Sequence, residues 1–246
     1  MTLEKCRVLN RDQIKLLAVI AMTFNHISHA LLAPGTVLCE VFEDIGYFTA
    51  MTMCFFLVEG YRYTRSRRAY AKRLLLFALV SEIPYVLALG FYQLNVLFTL
   101  LVSFLVLWVM DSSMAPWKKR LSICGLFLVS CGCDWAFMLP LGAILFKRAE
   151  GQPRRQALAY AVVGGIFWLM NIPGYAPPGA AYAMLHSFYA TLGIIASAVA
   201  ALVLYNGKRS ERAGAFNKWF FYIYYPAHLT VLWIIRGAVQ GALPGA

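Results

Sequence analysis

Charge is scarce in this sequence. Charged residues fill 13% of its 246 positions, against roughly 25% in soluble proteins. Hydrophobic residues reach 61%, well above the roughly 45–50% of soluble chains. A water-soluble domain of this size is surface-rich and could not bury so much apolar side chain. Histidine is rarer still, with four in the chain, and the six cysteines (Cys6, Cys39, Cys54, Cys124, Cys131, Cys133) lack the paired spacing of a zinc site. Cys131 and Cys133 fall near the loop of Cys39, so a disulfide is conceivable, although small apolar residues in a turn are the plainer reading. Internal repeats, low-complexity tracts and a separable soluble domain are also lacking. A cleaved secretory signal does not fit: the apolar stretch after Lys5–Lys15 carries two histidines and is followed by eight more apolar segments. Residues 1–246 therefore read as one integral-membrane domain.

What is present is a succession of apolar runs separated by short basic loops, the pattern of bilayer-spanning helices. The runs fall at about 13–32, 45–61, 74–90, 95–110, 121–131, 134–146, 157–171, 182–205 and 219–240. Loops placed alternately on two sides collect 21 of the 22 basic residues on one of them. That side takes Lys5, Arg7, Arg11 and Lys15; Arg62, Arg65, Arg67, Arg68, Lys72 and Arg73; Lys118, Lys119 and Arg120; Lys147, Arg148, Arg154 and Arg155; and Lys208, Arg209, Arg212 and Lys218. Only Arg236 joins Glu40, Glu43, Asp44 and Asp134 on the other. The net charge of +11 is thus a topology signal and gives no reason to expect nucleic acid. The expectation is an all-α polytopic bundle of about nine segments in the bacterial cytoplasmic membrane, N-terminus cytoplasmic and C-terminus outside. Residues 121–146 are the exception within it. As one helix they would extend roughly 39 Å and reverse the charge pattern downstream; a hairpin turning at Cys131–Asp134 restores it with two legs of about 18 Å. A short or re-entrant hairpin shielded by other helices is expected there.

Ionisable groups inside a membrane are costly, which marks each as a functional candidate. These are His26 and His29 in the first segment, Glu82 two residues before Pro84, Asp134 at the hairpin, His186 and His228. Glu59 lies close to the basic side, where an ion-pair role is the simpler reading. Lys15 and His26 are 11 residues apart, within roughly 20° of a whole number of helical turns and about 16 Å along the axis. A lysine at headgroup level below a histidine deep in the same face suits a long ligand with an anionic head and a reactive end, such as acyl-coenzyme A. Its phosphates would lie on Lys15 and Arg73. The competing reading is a lysine that snorkels to lipid phosphates.

The stretches KLLAVIAMTFNHISHALL (15–32), FFLVEGYRYTRSRRAYAKRLLLFALVSEIPY (55–85), NVLFTLLV (95–102) and KWFFYIYYPAHLTVL (218–232) resemble the TraX family. Those proteins are named for a conjugation protein that N-acetylates the pilin subunit. The most specific pieces are the first-segment histidine, E-G-x-x-x-T-R with the following S-E-I-P, N-x-L-F-T and Y-P-x-H, in that order along nearly the whole chain. The first segment is also similar to membrane acyltransferases marked by a basic residue, ten intervening residues and a histidine, matched here by Lys15 and His26. The resemblance implies acyl transfer from cytosolic acetyl-coenzyme A or another acyl-coenzyme A, with His26 as catalytic residue and no metal. The acceptor would be a peptide, sugar or small molecule on the outer side. Where family members usually carry Asp–His, this chain has Asn25–His26. Asparagine supplies no charge, so Glu82 or Asp134 takes that role, or the histidine is tuned differently, or activity is lost; His29, one turn on, could share the work. Asn95, Thr99, Asp134, His186, Tyr225 and His228 are the expected substrate-binding groups. A proton-coupled exporter is the alternative, since membrane histidines and acids also build proton relays. It is disfavoured by the absence of hydropathy symmetry between halves.

Overall fold

The computed structural model describes residues 6–175, 179–210 and 214–242, with the side chains of 214–218, 240 and 242 left aside. Among the described residues there are nine α-helices and no strand. These are α1 (Arg11–Leu31), α2 (Val37–Tyr63), α3 (Arg67–Leu89), α4 (Val96–Met110), α5 (Pro116–Ser130), α6 (Met138–Arg148), α7 (Pro153–Asn171), α8 (Ala180–Val199) and α9 (Gly214–Ala242). Local chemistry starts most of them. Asn10 caps α1 in a reciprocal box with Gln13, Thr36, Ser66 and Asn95 cap α2, α3 and α4, and Pro116 and Pro153 open α5 and α7. Gly90 closes α3 at φ 73°, a left-handed turn that glycine takes without strain.

Helix α2 begins before the expected apolar segment, so Glu40, Glu43 and Asp44 are helical instead of looped out. The Thr36 cap and the favourable dipole for acids in a first turn account for this. Residues 121–146 do form a hairpin. Helix α5 stops at Ser130, a turn occupies 131–137, and α6 starts at Met138. Its legs of 15 and 11 residues extend about 22 and 16 Å, and both pack on α4. Trp135 sits in the turn at φ 56°, the only non-glycine with positive φ among the described residues. Its ring is held by stacking on Phe167 at 5.3 Å.

Successive helices run in opposite directions, as the cross-contacts show. Asn25 meets Glu43 across α1 and α2, Asn95 meets Glu82 across α3 and α4, and Tyr160 meets Ser197 across α7 and α8. Thr52 meets Ser197 and Glu40 meets His186, so α2 and α8 are parallel. Phe77 stacks on Tyr222 while Arg236 reaches Ala88, so α3 and α9 are parallel too. The bundle therefore has a basic end, with Arg11, Arg62, Arg67, Lys119 and Lys147, and an acidic end, with Glu40, Glu43, Asp44 and Asp134.

The buried core is built mainly from α2, α4, α6, α7 and α8 around Met51, Phe104, Leu107, Leu139, Phe146 and Val163. Close helix approach relies on small residues, as expected where lipid removes much of the hydrophobic drive. A Cβ on Gly193 of α8 would stand 2.5 Å from the Asp44 carbonyl oxygen of α2. Outside the core, Leu75, Leu76, Leu79, Val80 and Ile83 of α3 and Leu185, Phe188, Leu192 and Ile195 of α8 form exposed apolar faces. Faces of that extent suit hydrocarbon, not water. Helices α1, α2, α7 with its 3₁₀ extension to Tyr175, and α8 with its π-helical extension to Leu204 are long and apolar enough to cross a bilayer. This is a membrane protein.

Candidate functional site

Helices α1 and α9 bring two of the four histidines together. His26 Nδ1 lies 2.7 Å from His228 Nε2, and the rings lie edge to edge in nearly one plane, with centroids 4.9 Å apart and planes 5° apart. Both side chains are buried, at 6% and 8% exposure. His228 Nδ1 lies 2.8 Å from the Tyr224 carbonyl oxygen one turn earlier. A carbonyl can only accept, so His228 carries its proton on Nδ1 and offers the Nε2 lone pair. His26 must then donate from Nδ1, which leaves the lone pair of His26 on Nε2. Two neutral imidazoles in series thus leave His26 Nε2 as a base. The Tyr224 ring stacks on His228 at 5.0 Å, and its hydroxyl bonds Thr23 of α1 at 2.8 Å, fastening α9 to α1 beside the pair.

A second polar group adjoins the histidines through Tyr225, whose ring packs edge-on to His26 at 5.9 Å. The Tyr225 hydroxyl lies within electrostatic reach of Tyr85, Asp134 and Glu82. Neither tyrosine hydroxyl makes a hydrogen bond of normal geometry, although both are buried; Val96 N–H lies within weak hydrogen-bonding reach of Tyr225 and the Gln93 side chain within that of Tyr85. Unpaired buried hydroxyls are uncommon, and each calls for an explanation. Asn95 and Thr99 are already committed. Asn95 donates from Nδ2 to Glu82 Oε2 at 2.7 Å and to the Ala78 carbonyl at 2.9 Å, while its own oxygen caps α4. Thr99 donates to the Asp134 carbonyl. These two fasten α4 to α3 and to the hairpin, leaving the tyrosines as the uncommitted donors. Glu82 and Asp134 form no ion pair among the described residues.

Other candidates lie elsewhere. His29 faces Glu43 at 3.6 Å and His186 faces Glu40 at 3.1 Å, both at the acidic end. Asn25 turns toward α2, where it donates to the Glu43 carbonyl at 3.3 Å and packs against Gly46. It makes no bond to His26. The group that His26 Nδ1 meets is His228. Lys15 and His26 do share a face, since both lean on α9. Lys15 Nζ lies 5.5 Å from the Phe221 ring and 5.8 Å from Phe56. Arg73 lies over Tyr70 at the same basic end. Sequence reasoning missed Tyr224 and Thr23 altogether. It also missed Tyr85, although the residue closes the S-E-I-P-Y stretch beside Glu82.

The sequence profile described as TraX protein matches residues 10–236. A curated relative, the probable fimbrial assembly protein FimC, serogroup H1, of Dichelobacter nodosus, is 28% identical over 233 residues. The match covers 89% of this chain and 93% of that protein. No solved structure matches.

Proposed function

This chain belongs to the TraX family, and on that premise we propose that it is a membrane acyltransferase using acyl-coenzyme A, most simply acetyl-coenzyme A. The observation that carries the reading is the buried His26–His228–Tyr224 series, which leaves an oriented base on His26 Nε2. The acceptor's nucleophilic nitrogen or oxygen attacks the thioester carbonyl carbon while His26 Nε2 takes its proton. The tetrahedral adduct collapses, the C–S bond breaks, and the proton passes from His26 to the departing thiolate. The products are acylated acceptor and free coenzyme A. General-base assistance of this kind is worth roughly 10²–10⁴-fold.

The basic end is the cytoplasmic face in this reading, with nine segments crossing or entering the bacterial inner membrane and the C-terminus outside. The donor enters from that face along α1, and the acceptor enters from the acidic end. Glu82 and Asp134 beside Tyr85 and Tyr225 favour an acceptor that arrives as an ammonium, gives one proton to a carboxylate there, and attacks as the neutral amine. The fimbrial assembly name of the Dichelobacter nodosus protein supports a pilin-like peptide as acceptor. Protein purified in lipid nanodiscs, given radiolabelled acetyl-coenzyme A and an amine-bearing peptide, should transfer label and release free thiol. Absence of turnover with every acceptor, or turnover undiminished by His26→Ala, would refute the reading.

A further inference from the structure

The basic end contains a cluster of cations larger than Lys15 and Arg73. Arg11, at the first turn of α1, stands one turn below Lys15. Arg11, Asp12, Glu59 and Arg209 are the charged groups within electrostatic reach of Lys15. Arg11 and Arg73 both lie within reach of the Tyr70 hydroxyl, which places α1 and α3 cations around one ring. Lys15, Arg73 and Arg209 form no ion pair among the described residues, and Arg11 pairs only with its neighbour Asp12, at 3.9 Å.

The anions nearby are largely occupied. Asp12 accepts from the Ser210 N–H at 2.9 Å, and Glu59 Oε1 accepts from the Tyr205 hydroxyl at 2.6 Å. Three charged-group atoms here are buried with no hydrogen-bond partner: Arg11 Nε, Arg73 Nε and Glu59 Oε2. Half-buried guanidinium groups with unused donors are costly unless a ligand completes them. Planar guanidinium donors match phosphate oxygens two at a time. The start of α1 adds the positive end of its dipole.

We propose that Arg11 is a phosphate ligand, joining Lys15 and Arg73 in a single cradle for the polyphosphate head of the donor. The assignment rests on the acyl-coenzyme A reading for its ligand, while the cradle itself is defined by phosphate chemistry. Glu59, held by Tyr205, is the carboxylate within electrostatic reach of Lys15 besides Asp12.

The test measures binding to the full chain in zwitterionic nanodiscs, with coenzyme A, pantetheine and inorganic pyrophosphate as probes. Arg11→Gln should weaken coenzyme A and pyrophosphate by about tenfold or more, the loss of one charge-assisted phosphate contact, and leave pantetheine within twofold. Arg73→Gln, on a different helix, should do the same. Unchanged pyrophosphate binding in Arg11→Gln, or equal losses for pantetheine and coenzyme A, would overturn the cradle, provided the unliganded melting temperature is unchanged. Binding of pyrophosphate that depends on Arg11, with none of coenzyme A, would uphold the cradle and sink the acyl-coenzyme A reading. Displacement of pyrophosphate by phosphatidylglycerol in the disc would overturn the soluble donor as its occupant, in favour of a lipid headgroup.

Discussion

The Tyr224 carbonyl oxygen stands 2.8 Å from His228 Nδ1, and this contact sets the direction of each proton in the pair above it. Replacing His228 by alanine removes the acceptor that holds His26 in its working tautomer. His228→Ala should lower kcat roughly ten- to a hundredfold with KM nearly unchanged, part of the roughly 10²–10⁴-fold that general-base catalysis supplies. His26→Ala should lose the whole factor. Single-turnover transfer from labelled acetyl-coenzyme A measures both, and equal activity in His228→Ala and the wild type would remove His228 from the mechanism.

Asn25→Asp, which restores the residue common among relatives, should not increase activity. The Asn25 side chain donates to the Glu43 carbonyl at 3.3 Å, and an aspartate cannot donate there. It would add a charge at a helix crossing and leave the carbonyl without its donor, at a cost of about 1–3 kcal/mol. A lower melting temperature in detergent, with no gain in kcat, is the expected result. A several-fold rise in kcat would show that position 25 reaches the histidine.

Gly193→Ala should loosen the contact of α8 with α2. The added methyl would lie 2.5 Å from the Asp44 carbonyl oxygen and 2.8 Å from the Phe48 nitrogen, backbone atoms with no rotamer to yield. Overpacking of this kind costs about 1–3 kcal/mol. Gly125→Ala is the control, since nothing lies within 4 Å of its added methyl. Matching melting temperatures for the two variants would contradict the packing described.

Asp111 closes α4 at the basic end, where it receives Lys147 at 2.7 Å, Arg67 at 3.1 Å and the Tyr61 hydroxyl at 2.8 Å. Partial burial alone would raise its pKa; the hydrogen bonds from Lys147 and Tyr61 and the charges of Lys147 and Arg67 outweigh it and hold the carboxyl below its ordinary value. A depressed folded pKa stabilises above the unfolded value of about 3.9, and that stability disappears as pH falls through the folded value. Melting curves from pH 7 to pH 2 should show an acid-side loss that is smaller in Asp111→Asn. Identical acid profiles would show that the cluster adds nothing.

Much of the architecture was legible from charge and hydropathy because a membrane imposes length and sidedness on every helix. The hairpin at residues 131–137 followed from that logic, and so did the common face of Lys15 and His26, which one helix fixes by itself. The contact of His26 with His228 was not legible. It joins positions 202 residues apart and depends on how α9 settles against α1, which no local period encodes. Asn95 and Thr99 looked like available donors because composition shows a polar group but not its partner. Their hydroxyl and amide are used to fasten α4 to its neighbours, and the uncommitted hydroxyls belong to Tyr85 and Tyr225.

The two hydrogen-bonded imidazoles come from α1 and α9, the first and last of the described helices. A growing chain therefore makes His26 well before the histidine that hydrogen-bonds it. A product lacking α9 keeps His26 without His228 to fix its tautomer. Orientation of His26 Nε2 therefore waits on the docking of α9 against α1.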